Sequence, residues 1–376
     1  MDGRGFSRFG GLDGRTGAVF QAIETPGLVV VSYWILYTQE RDSAGINGSV
    51  PPGLGGSGSQ HLGYVTRLAR RTLRQRVAID AVRLAPKGLF SSLVGWGARR
   101  TLPRSLRAPA YRAFAQIVGA DLSEVELPLG DYPSLGSFFA RRLTSDARAV
   151  LDDPNTVISP SDGEMGAMCP VADDTLLQAK GKTYSLAQLL GDAELASRLD
   201  GGHALTVYLS PKDYHRVHSP VRGDLTSYTY VPGTLFPVSR VFSDNVDELF
   251  ARNERVVFRL ETEHGPVAVV MVGATGVGNM WLEHAELETR TYRGSSSAQR
   301  VVFDAPVPVA KGDELGAFFL GSTVVMVFGA GVIEPAADLR SGQLVRFGQS
   351  IGSRASVNSR ASIEKDSAGE TVGIAG

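Results

Sequence analysis

The feature that most constrains the fold is a series of short apolar runs in the second half of the chain, rich in β-branched and aromatic residues. Gly, Pro, Asp or Asn bounds each run, which is typical of strands that end in turns. The clearest runs span residues 205–209, 256–260, 267–272, 301–309 and 323–328. One helical pattern, at 185–199, interrupts them. We therefore predict an α+β fold: a mostly antiparallel β barrel or sandwich with helices at one end.

Composition divides the chain into four regions. The Gly-, Pro- and Ser-rich stretch NGSVPPGLGGSGS, from Asn47, is a linker by composition, so residues 1–60 are an unassigned N-terminal extension with its linker. Residues 61–120 have helical character, and we expect Pro86, Pro103 and Pro109 to divide them into short helices. Residues 121–349 are the predicted β-rich domain. The Ser-, Gly- and Ala-rich tail, 350–376, is predicted to be disordered.

The helical region carries an excess of positive charge that the formal net charge of −1 conceals. Between Arg67 and Arg107 there are eleven basic residues and one acid, Asp80. Apolar helix faces with Arg flanks and a Trp are typical of proteins that lie in the headgroup layer of an anionic membrane. No nucleic-acid motif accompanies the charge, so lipid is favoured over nucleic acid. Two other arrangements explain the same charge pattern: the basic side chains form a solvent-exposed helix face, or the helices pack on the main domain.

Two further features limit the class of protein. The single cysteine, Cys169, cannot form an internal disulfide, and we expect it to act as a small buried apolar residue. No run reaches the roughly 18–20 apolar residues that span a bilayer. The longest is GLVVVSYWILY, from Gly27. The sequence therefore predicts peripheral rather than spanning membrane association.

Three local clusters contain residues suited to catalysis, although each alone also has an ordinary structural explanation. SPSDG, from Ser159, resembles a turn. YLSPKDYHRVHSP, from Tyr208, contains the histidine pair His215 and His218, which could also be surface histidines or metal ligands. Further ligands and an HExxH pattern are missing, so no metal is predicted. LGAFFLGSTVVMVF, from Leu315, contains a Gly-Ser pair that enters an apolar strand.

Taken together, the clusters supply Asp162, His218 and Ser322 for the orienter, base and nucleophile roles of a catalytic triad. Gly321 has no side chain that would block attack on its own carbonyl by the neighbouring hydroxyl. A serine hydrolase would use the same three residues. However, the G-x-S-x-G elbow of many such enzymes is absent, and Ser322 opens a predicted strand. A lipid-binding β module without activity is a third hypothesis.

Several longer segments occur in the order found in phosphatidylserine decarboxylases, and the chain resembles that family from Tyr132 to about Ala330. The combination of YHRVH with LGST is the most specific part. The segments are YPSLGSFFARRL, SPSDG, AKGKTYSLAQLLG, YLSPKDYHRVHSP, YVPGTLFPV, LFARNERVV, GPVAVVMVGATGVGNM and KGDELGAFFLGSTVVMVF.

The resemblance implies a proenzyme that cuts itself between Gly321 and Ser322, giving a β chain, 1–321, and an α chain, 322–376. Ser322 would become a covalent pyruvoyl group, the only cofactor expected. That group would form a Schiff base with phosphatidylserine, release CO2 and yield phosphatidylethanolamine. The resemblance assigns self-cleavage mainly to His218 with Asp162, and places His215 near the substrate as general acid.

The same resemblance implies the partners and the location. The substrate would be phosphatidylserine in an anionic membrane, and the two cleaved chains would remain partners of each other, with a homodimer left open. Residues 80–118 are expected to dock on the membrane, at either a bacterial or a mitochondrial inner membrane.

Overall fold

The computed structural model describes residues 96–179, 181–238, 240–274, 279–292, 294–319 and 321–354. Its helices are α1 (Arg104–Val118), α2 (Leu135–Phe139), α3 (Leu186–Leu190), α4 (Ala193–Leu199), α5 (Arg240–Ser243) and α6 (Leu249–Arg252). Short 3-10 helices lie at Leu129–Asp131, Glu283–Ala285 and Thr289–Tyr292.

Strands make up most of the described part. They are β1 (Thr156–Ile158), β2 (Gly163–Pro170), β3 (Thr175–Ala179), β4 (Lys182–Ser185), β5 (His203–Leu209), β6 (Arg216–His218), β7 (Gly223–Val231), β8 (Arg255–Thr262), β9 (Gly265–Gly273), β10 (Met280–Leu282), β11 (Leu287–Glu288), β12 (Gln299–Val309), β13 (Glu314–Phe318), β14 (Ser322–Phe328), β15 (Glu334–Pro335), β16 (Leu344–Val345) and β17 (Ser350–Ser353). The five predicted strands correspond to β5, β8, β9, β12 and β14.

The largest sheet has eight antiparallel strands in the order β12-β7-β8-β9-β14-β5-β2-β16. The prediction of a mostly antiparallel β fold is confirmed. The barrel form of that prediction is wrong, because this sheet is open in the described part of the chain. A barrel needs its outer strands to pair along their length. Here one outer strand, β16, has only two residues, and the other, β12, leaves Val302 62% exposed.

Strand β14 lies inside this sheet, paired on both sides. It aligns with β5 and β9 without a bulge, so that Ser322 lies opposite Leu209 on one side and Gly273 on the other. All seven of its residues are buried. Burial on both faces explains why its sequence is a continuous apolar run rather than an alternating one.

A smaller sheet, in the order β11-β10-β13-β6, holds the YHRVH segment beside the segment that leads to Ser322. Strand β13 pairs with β6, with Glu314 opposite His218 and Gly316 opposite Val217. Two further sheets, β1-β17-β15 and β3-β4, complete the described part. The histidines and the serine therefore meet although the sequence separates them widely.

The helix predicted at 185–199 forms with one interruption. Helix α3 ends at Gly191, which adopts the left-handed conformation with φ 63°. Asp192 then caps α4 by accepting a hydrogen bond from the backbone N–H of Leu195.

The expectation that Pro109 divides the helical region is wrong, because Pro109 lies inside α1. Proline removes one helical hydrogen bond and crowds the preceding turn. Packing compensates here: Tyr111 stacks on Phe138 with ring centroids 4.8 Å apart, and Ala115 is buried on the same helix. Pro103 immediately precedes α1, as predicted.

Several predicted regions lie wholly or partly outside the described residues. They are the extension 1–60 and the helical region as far as residue 95. The predicted membrane-associating helices are thus described only from residue 96. At the other end, the four residues Ser350–Ser353 form β17, so the boundary of the disordered tail is wrong there; residues 355–376 lie outside the description. No helix among the described residues is long and apolar enough to cross a membrane.

Candidate active site

Ser322 is the first residue of β14 and is only 1% exposed. Its Oγ lies 3.5 Å from Nδ1 of His215, which is at the long end of hydrogen-bond distance. Catalytic contacts are often long before the reacting state forms. The serine hydroxyl therefore has an imidazole within reach, and that imidazole belongs to His215.

The hydrogen bonds of His215 determine which ring nitrogen carries the proton. Nε2 lies 2.9 Å from the carbonyl oxygen of Ser210, and a carbonyl can only accept, so Nε2 is the protonated nitrogen. Nδ1, which faces Ser322, is left with its lone pair. The ring also packs against Phe139, with ring centroids 4.1 Å apart. His215 is thus oriented to accept a proton from Ser322.

Burial keeps this imidazole neutral. It lowers the pKa of His215 to about 3, and the positive charge of Arg141 contributes to the same shift. At neutral pH the lone pair on Nδ1 is therefore available, although the imidazole is a weak base in these surroundings.

His218 has different partners. Its Nδ1 donates to the carbonyl of Gly312 at 2.8 Å, and its Nε2 therefore accepts from the hydroxyl of Tyr214 at 2.9 Å. The ring stacks on Phe347, with centroids 3.8 Å apart. Burial lowers the pKa of His218 to about 4. Both ring nitrogens are thus occupied by groups other than Ser322.

Asp162 is paired with an arginine. Nε of Arg148 donates to its Oδ1 at 3.1 Å and Nη2 to its Oδ2 at 2.5 Å, a bidentate geometry. The backbone N–H of Phe347 donates to Oδ1 at 2.8 Å. Asp162 and His218 are therefore linked through Phe347, whose backbone binds the one and whose ring stacks on the other.

The structure thus brings Ser322 and His215 together. The hydrogen bonds of His218 and Asp162 go to other groups, and no chain of hydrogen bonds among the described residues leads from them to Ser322. A cavity of about 420 Å³ opens beside His218 and is lined also by Tyr214, Arg142, His284 and Glu314. Among the described residues, no group of three His, Cys, Asp or Glu side chains is arranged to hold a metal ion.

Four residues of this region were not singled out from the sequence. Tyr214 contacts His218, Phe347 stacks on it, Arg148 pairs with Asp162, and Arg141 lies near His215. Tyr214 and Arg141 occur within the segments that carry the family resemblance, which is the only sequence signal that could have identified them. Arg148 and Phe347 have no local signal.

A family model described as phosphatidylserine decarboxylase matches residues 135–353, more than half of the chain. A phosphatidylserine decarboxylase proenzyme from Anaeromyxobacter sp. (strain K) is 43% identical over 276 residues, which cover 73% of this chain and 98% of the relative. The chain belongs to the phosphatidylserine decarboxylase family.

Other members of the phosphatidylserine decarboxylase family are similar to this chain over most of their length. The proenzyme from Pseudomonas paraeruginosa is 42% identical, covering 74% of this chain and 96% of the relative. The proenzyme from Brevibacillus brevis is 38% identical, covering 69% and 95%. The matched residues of the family model include Ser322, both histidines and Asp162. The family consists of carboxy-lyases, and the resemblance noted from the sequence is confirmed.

Proposed function

We propose that this chain is a phosphatidylserine decarboxylase proenzyme that cleaves itself between Gly321 and Ser322. The observation that carries the proposal is the buried Ser322 hydroxyl, 3.5 Å from an imidazole nitrogen whose lone pair faces it. Gly321 adds no side chain beside the carbonyl that this hydroxyl would attack. The residues present therefore suit conversion of Ser322 into a pyruvoyl group.

Self-cleavage needs only the chain and one water molecule. Oγ of Ser322 attacks the carbonyl carbon of Gly321 while the base takes its proton, and the Gly321–Ser322 amide becomes an ester as the acyl group moves from nitrogen to oxygen. Elimination then removes the α proton of residue 322 and breaks the ester. This releases Gly321 as a carboxylate and leaves dehydroalanine. Its imine tautomer takes up water and loses ammonia, giving the pyruvoyl group on chain 322–376.

Two histidines are candidates for the base. The geometry favours His215, because its free nitrogen is the one that faces the hydroxyl. The family resemblance favours His218 with Asp162 as its orienter. That assignment requires a rearrangement, in which the Tyr214 hydroxyl leaves Nε2 of His218 and Asp162 leaves Arg148. We propose His215 as the acceptor in the geometry described, with the His218–Asp162 assignment as the alternative that mutagenesis distinguishes.

The pyruvoyl group, once formed, supplies an electron sink that accommodates the charge left when the substrate loses CO2. His215 lies beside position 322, and once its Nδ1 has taken up a proton it can deliver the one that replaces the lost carboxyl group. Burial of the site excludes water that would compete for that proton. The proposed substrate is phosphatidylserine, and the proposed product is phosphatidylethanolamine.

The lipid substrate implies membrane contact. On α1, Leu106 is 42% exposed and Ile117 is 37% exposed, about three helical turns apart and so on one face. Trp96 is 48% exposed and lies under the guanidinium of Arg100. We propose that this surface, with residues 80–95, docks peripherally on an anionic membrane. The relatives described above come from bacteria, which favours the bacterial inner membrane over the mitochondrial one.

Sedimentation with vesicles containing phosphatidylserine tests the docking surface. We expect Leu106→Gln with Ile117→Gln to weaken binding by roughly tenfold per side chain, because each apolar contact with the membrane is lost. Val302→Gln is the matched control, since Val302 is an exposed aliphatic residue on β12. Equal binding by the double variant and the control would remove α1 from the docking surface.

A denaturing gel with mass spectrometry tests the function. We expect wild-type protein to give two pieces that correspond to 1–321 and 322–376, the smaller with a blocked N-terminus, and Ser322→Ala to remain one chain. A single wild-type chain that reacts with a fluorophosphonate at Ser322 would instead indicate a serine hydrolase. Neither the site geometry nor the relatives described above favours that alternative.

A further inference from the structure

Arg141 is a buried arginine beside the candidate active site. It follows α2 and is only 3% exposed. Its guanidinium carbon lies 5.4 Å from the ring centroid of Phe138. Nη2 donates to the carbonyls of Lys212 at 3.2 Å and Asp213 at 3.5 Å, in the loop that leads to His215.

Two of its donor nitrogens have no partner. Nε and Nη1 are buried and form no hydrogen bond within the described part of the chain. Arg255, which is 2% exposed, is different. Its Nε donates to the backbone carbonyl of Leu189, its Nη1 to those of Ala251 and Asn253, and its Nη2 to that of Gln188. The fold gives every nitrogen of the Arg255 guanidinium an acceptor and leaves two nitrogens of Arg141 without one.

The charge of Arg141 is also poorly compensated. Burial is the largest influence on its pKa and lowers it, while Asp162, Asp213 and Glu124 raise it through longer-range attraction. Asp162 already forms a bidentate pair with Arg148. A buried cation with open donors is costly unless a counter-charge arrives.

The position of Arg141 relates it to the chemistry at residue 322. Its Nη2 bonds the carbonyl of Asp213, two residues before His215, and Phe139, two residues before Arg141, packs on the His215 ring. His215 in turn contacts Ser322. Arg141 therefore brings two unused donors to the neighbourhood of His215, the residue that contacts Ser322. Arginine binds carboxylate and phosphate oxygens through pairs of N–H groups.

Building on the proposed function, we propose that Nε and Nη1 of Arg141 bind an oxyanion that arrives beside position 322 during the reaction sequence. Two sources have this chemistry: the Gly321 carboxylate released by self-cleavage, and an anionic group of the phospholipid headgroup. Either would neutralise Arg141. The pKa of His215 would then rise while the oxyanion is bound, so that His215 would be protonated more readily.

Stability in the uncleavable Ser322→Ala background separates binding from a structural role. We expect Arg141→Met to leave the melting temperature unchanged or higher, because removing a buried cation with two open donors offsets the loss of its Nη2 bonds to Lys212 and Asp213. Arg255→Met, the matched control, should lower the melting temperature, because it leaves four carbonyls without a donor. An equal loss in both variants would overturn the proposal in favour of a structural Arg141.

Cleavage and turnover then distinguish the two sources. If the Gly321 carboxylate is the ligand, Arg141→Met should slow the appearance of the two chains by about 30-fold or more. The ester between Gly321 and Ser322 should then accumulate, and hydroxylamine should trap it. If the headgroup is the ligand, cleavage should be normal and the KM for monomeric dihexanoyl phosphatidylserine should rise by a similar factor. Arg141→Lys should restore part of either loss, since it keeps the charge without the paired donors.

Wild-type rates of cleavage together with unchanged kcat and KM in Arg141→Met would overturn the proposal. This failure is distinguishable from failure of the proposed function, in which wild-type protein itself would stay uncleaved. Monomeric substrate is essential to the design, because it removes the general attraction of basic side chains to an anionic membrane.

Discussion

The two histidines of the YHRVH segment lie three positions apart but have different hydrogen-bond partners. His215 presents an unprotonated nitrogen to Ser322, whereas His218 has its corresponding lone pair occupied by the Tyr214 hydroxyl. The difference arises from carbonyl groups that fix the tautomers: Ser210 bonds Nε2 of His215, and Gly312 bonds Nδ1 of His218. The backbone carbonyls thus leave one imidazole with a nitrogen free to accept a proton from Ser322 and the other without one.

Separate substitution of the two histidines tests this difference. We expect His215→Ala to slow self-cleavage by about 10²–10⁴-fold, the usual contribution of a positioned base, and His218→Ala to slow it less. The measurement is the time course of the two chains on a denaturing gel, with melting temperature as a control for folding. Normal cleavage in His215→Ala, with an intact chain in His218→Ala, would assign the base to His218 and demonstrate the rearrangement.

The depressed pKa values of both histidines predict acid sensitivity. Between pH 6.5 and about 4, the unfolded chain binds protons on these residues that the folded chain does not, so folding becomes less favourable as the pH falls. Each histidine can cost up to about 1.4 kcal/mol per pH unit in this window.

Urea unfolding of Ser322→Ala at pH 7 and pH 5 measures this loss. We expect the difference in unfolding free energy between the two pH values to shrink when His215→Gln and His218→Gln are added, because glutamine does not titrate. An undiminished difference would show that other groups cause the acid sensitivity.

At the scale of elements, strand β13 connects the histidine segment to the serine. It pairs with β6, and the backbone N–H of Phe318 donates to the carbonyl of His215 at 2.9 Å. Gly316 lies in the middle of β13, where an added Cβ would come within 2.3 Å of the carbonyl oxygen of Trp281. The glycine is therefore required for close approach of β10 and β13.

Gly316→Ala should move β13 and disturb the site. We expect a loss of about 1–3 kcal/mol in unfolding free energy, as for other overpacked positions, with slower self-cleavage. Gly130→Ala is the control, because an added Cβ there meets nothing within 4 Å. Urea unfolding in the Ser322→Ala background gives the energy, and a gel gives the cleavage rate. Equal stability of both alanine variants would contradict the close-approach argument.

At the scale of the whole molecule, the proposed cut would release the N-terminus of a strand that remains in the middle of the largest sheet. Strand β14 pairs with β5 and β9 throughout its length. After β14, the same proposed fragment pairs β16 with β2 and β17 with β1, and it supplies Phe347 to the stack on His218. Cleavage would therefore leave most contacts of the smaller chain intact.

The two chains should consequently stay together after cleavage. We expect them to elute as one species in gel filtration under native conditions and to separate only in denaturant, because extracting β14 would expose seven buried residues. The Ser322→Ala protein provides the elution volume of the intact chain. Separation of the chains in native buffer would contradict the central position of β14.

The sequence alone determined the features that depend on local patterns. The strands at 205–209 and 323–328, the helix at 185–199 and the helix start at Pro103 follow from residue preferences and turn residues, and the structure confirms them. The resemblance that identified the family was also present in the sequence, as an ordered series of segments. Local steric and hydrogen-bonding preferences act between neighbours, so neighbours suffice to predict them.

Which distant groups meet depends on the three-dimensional packing of the chain. Ser322 and His215 are 107 positions apart, and Asp162 and Phe347 are 185 apart. The open sheet, Pro109 within α1 and the pairing of β17 likewise depend on packing against remote segments. These features depend on how strands align and which residues are buried in the complete fold. The pKa values of buried groups such as Arg141 and His215 depend on the complete core, because the whole fold, rather than any short segment, removes water from around them.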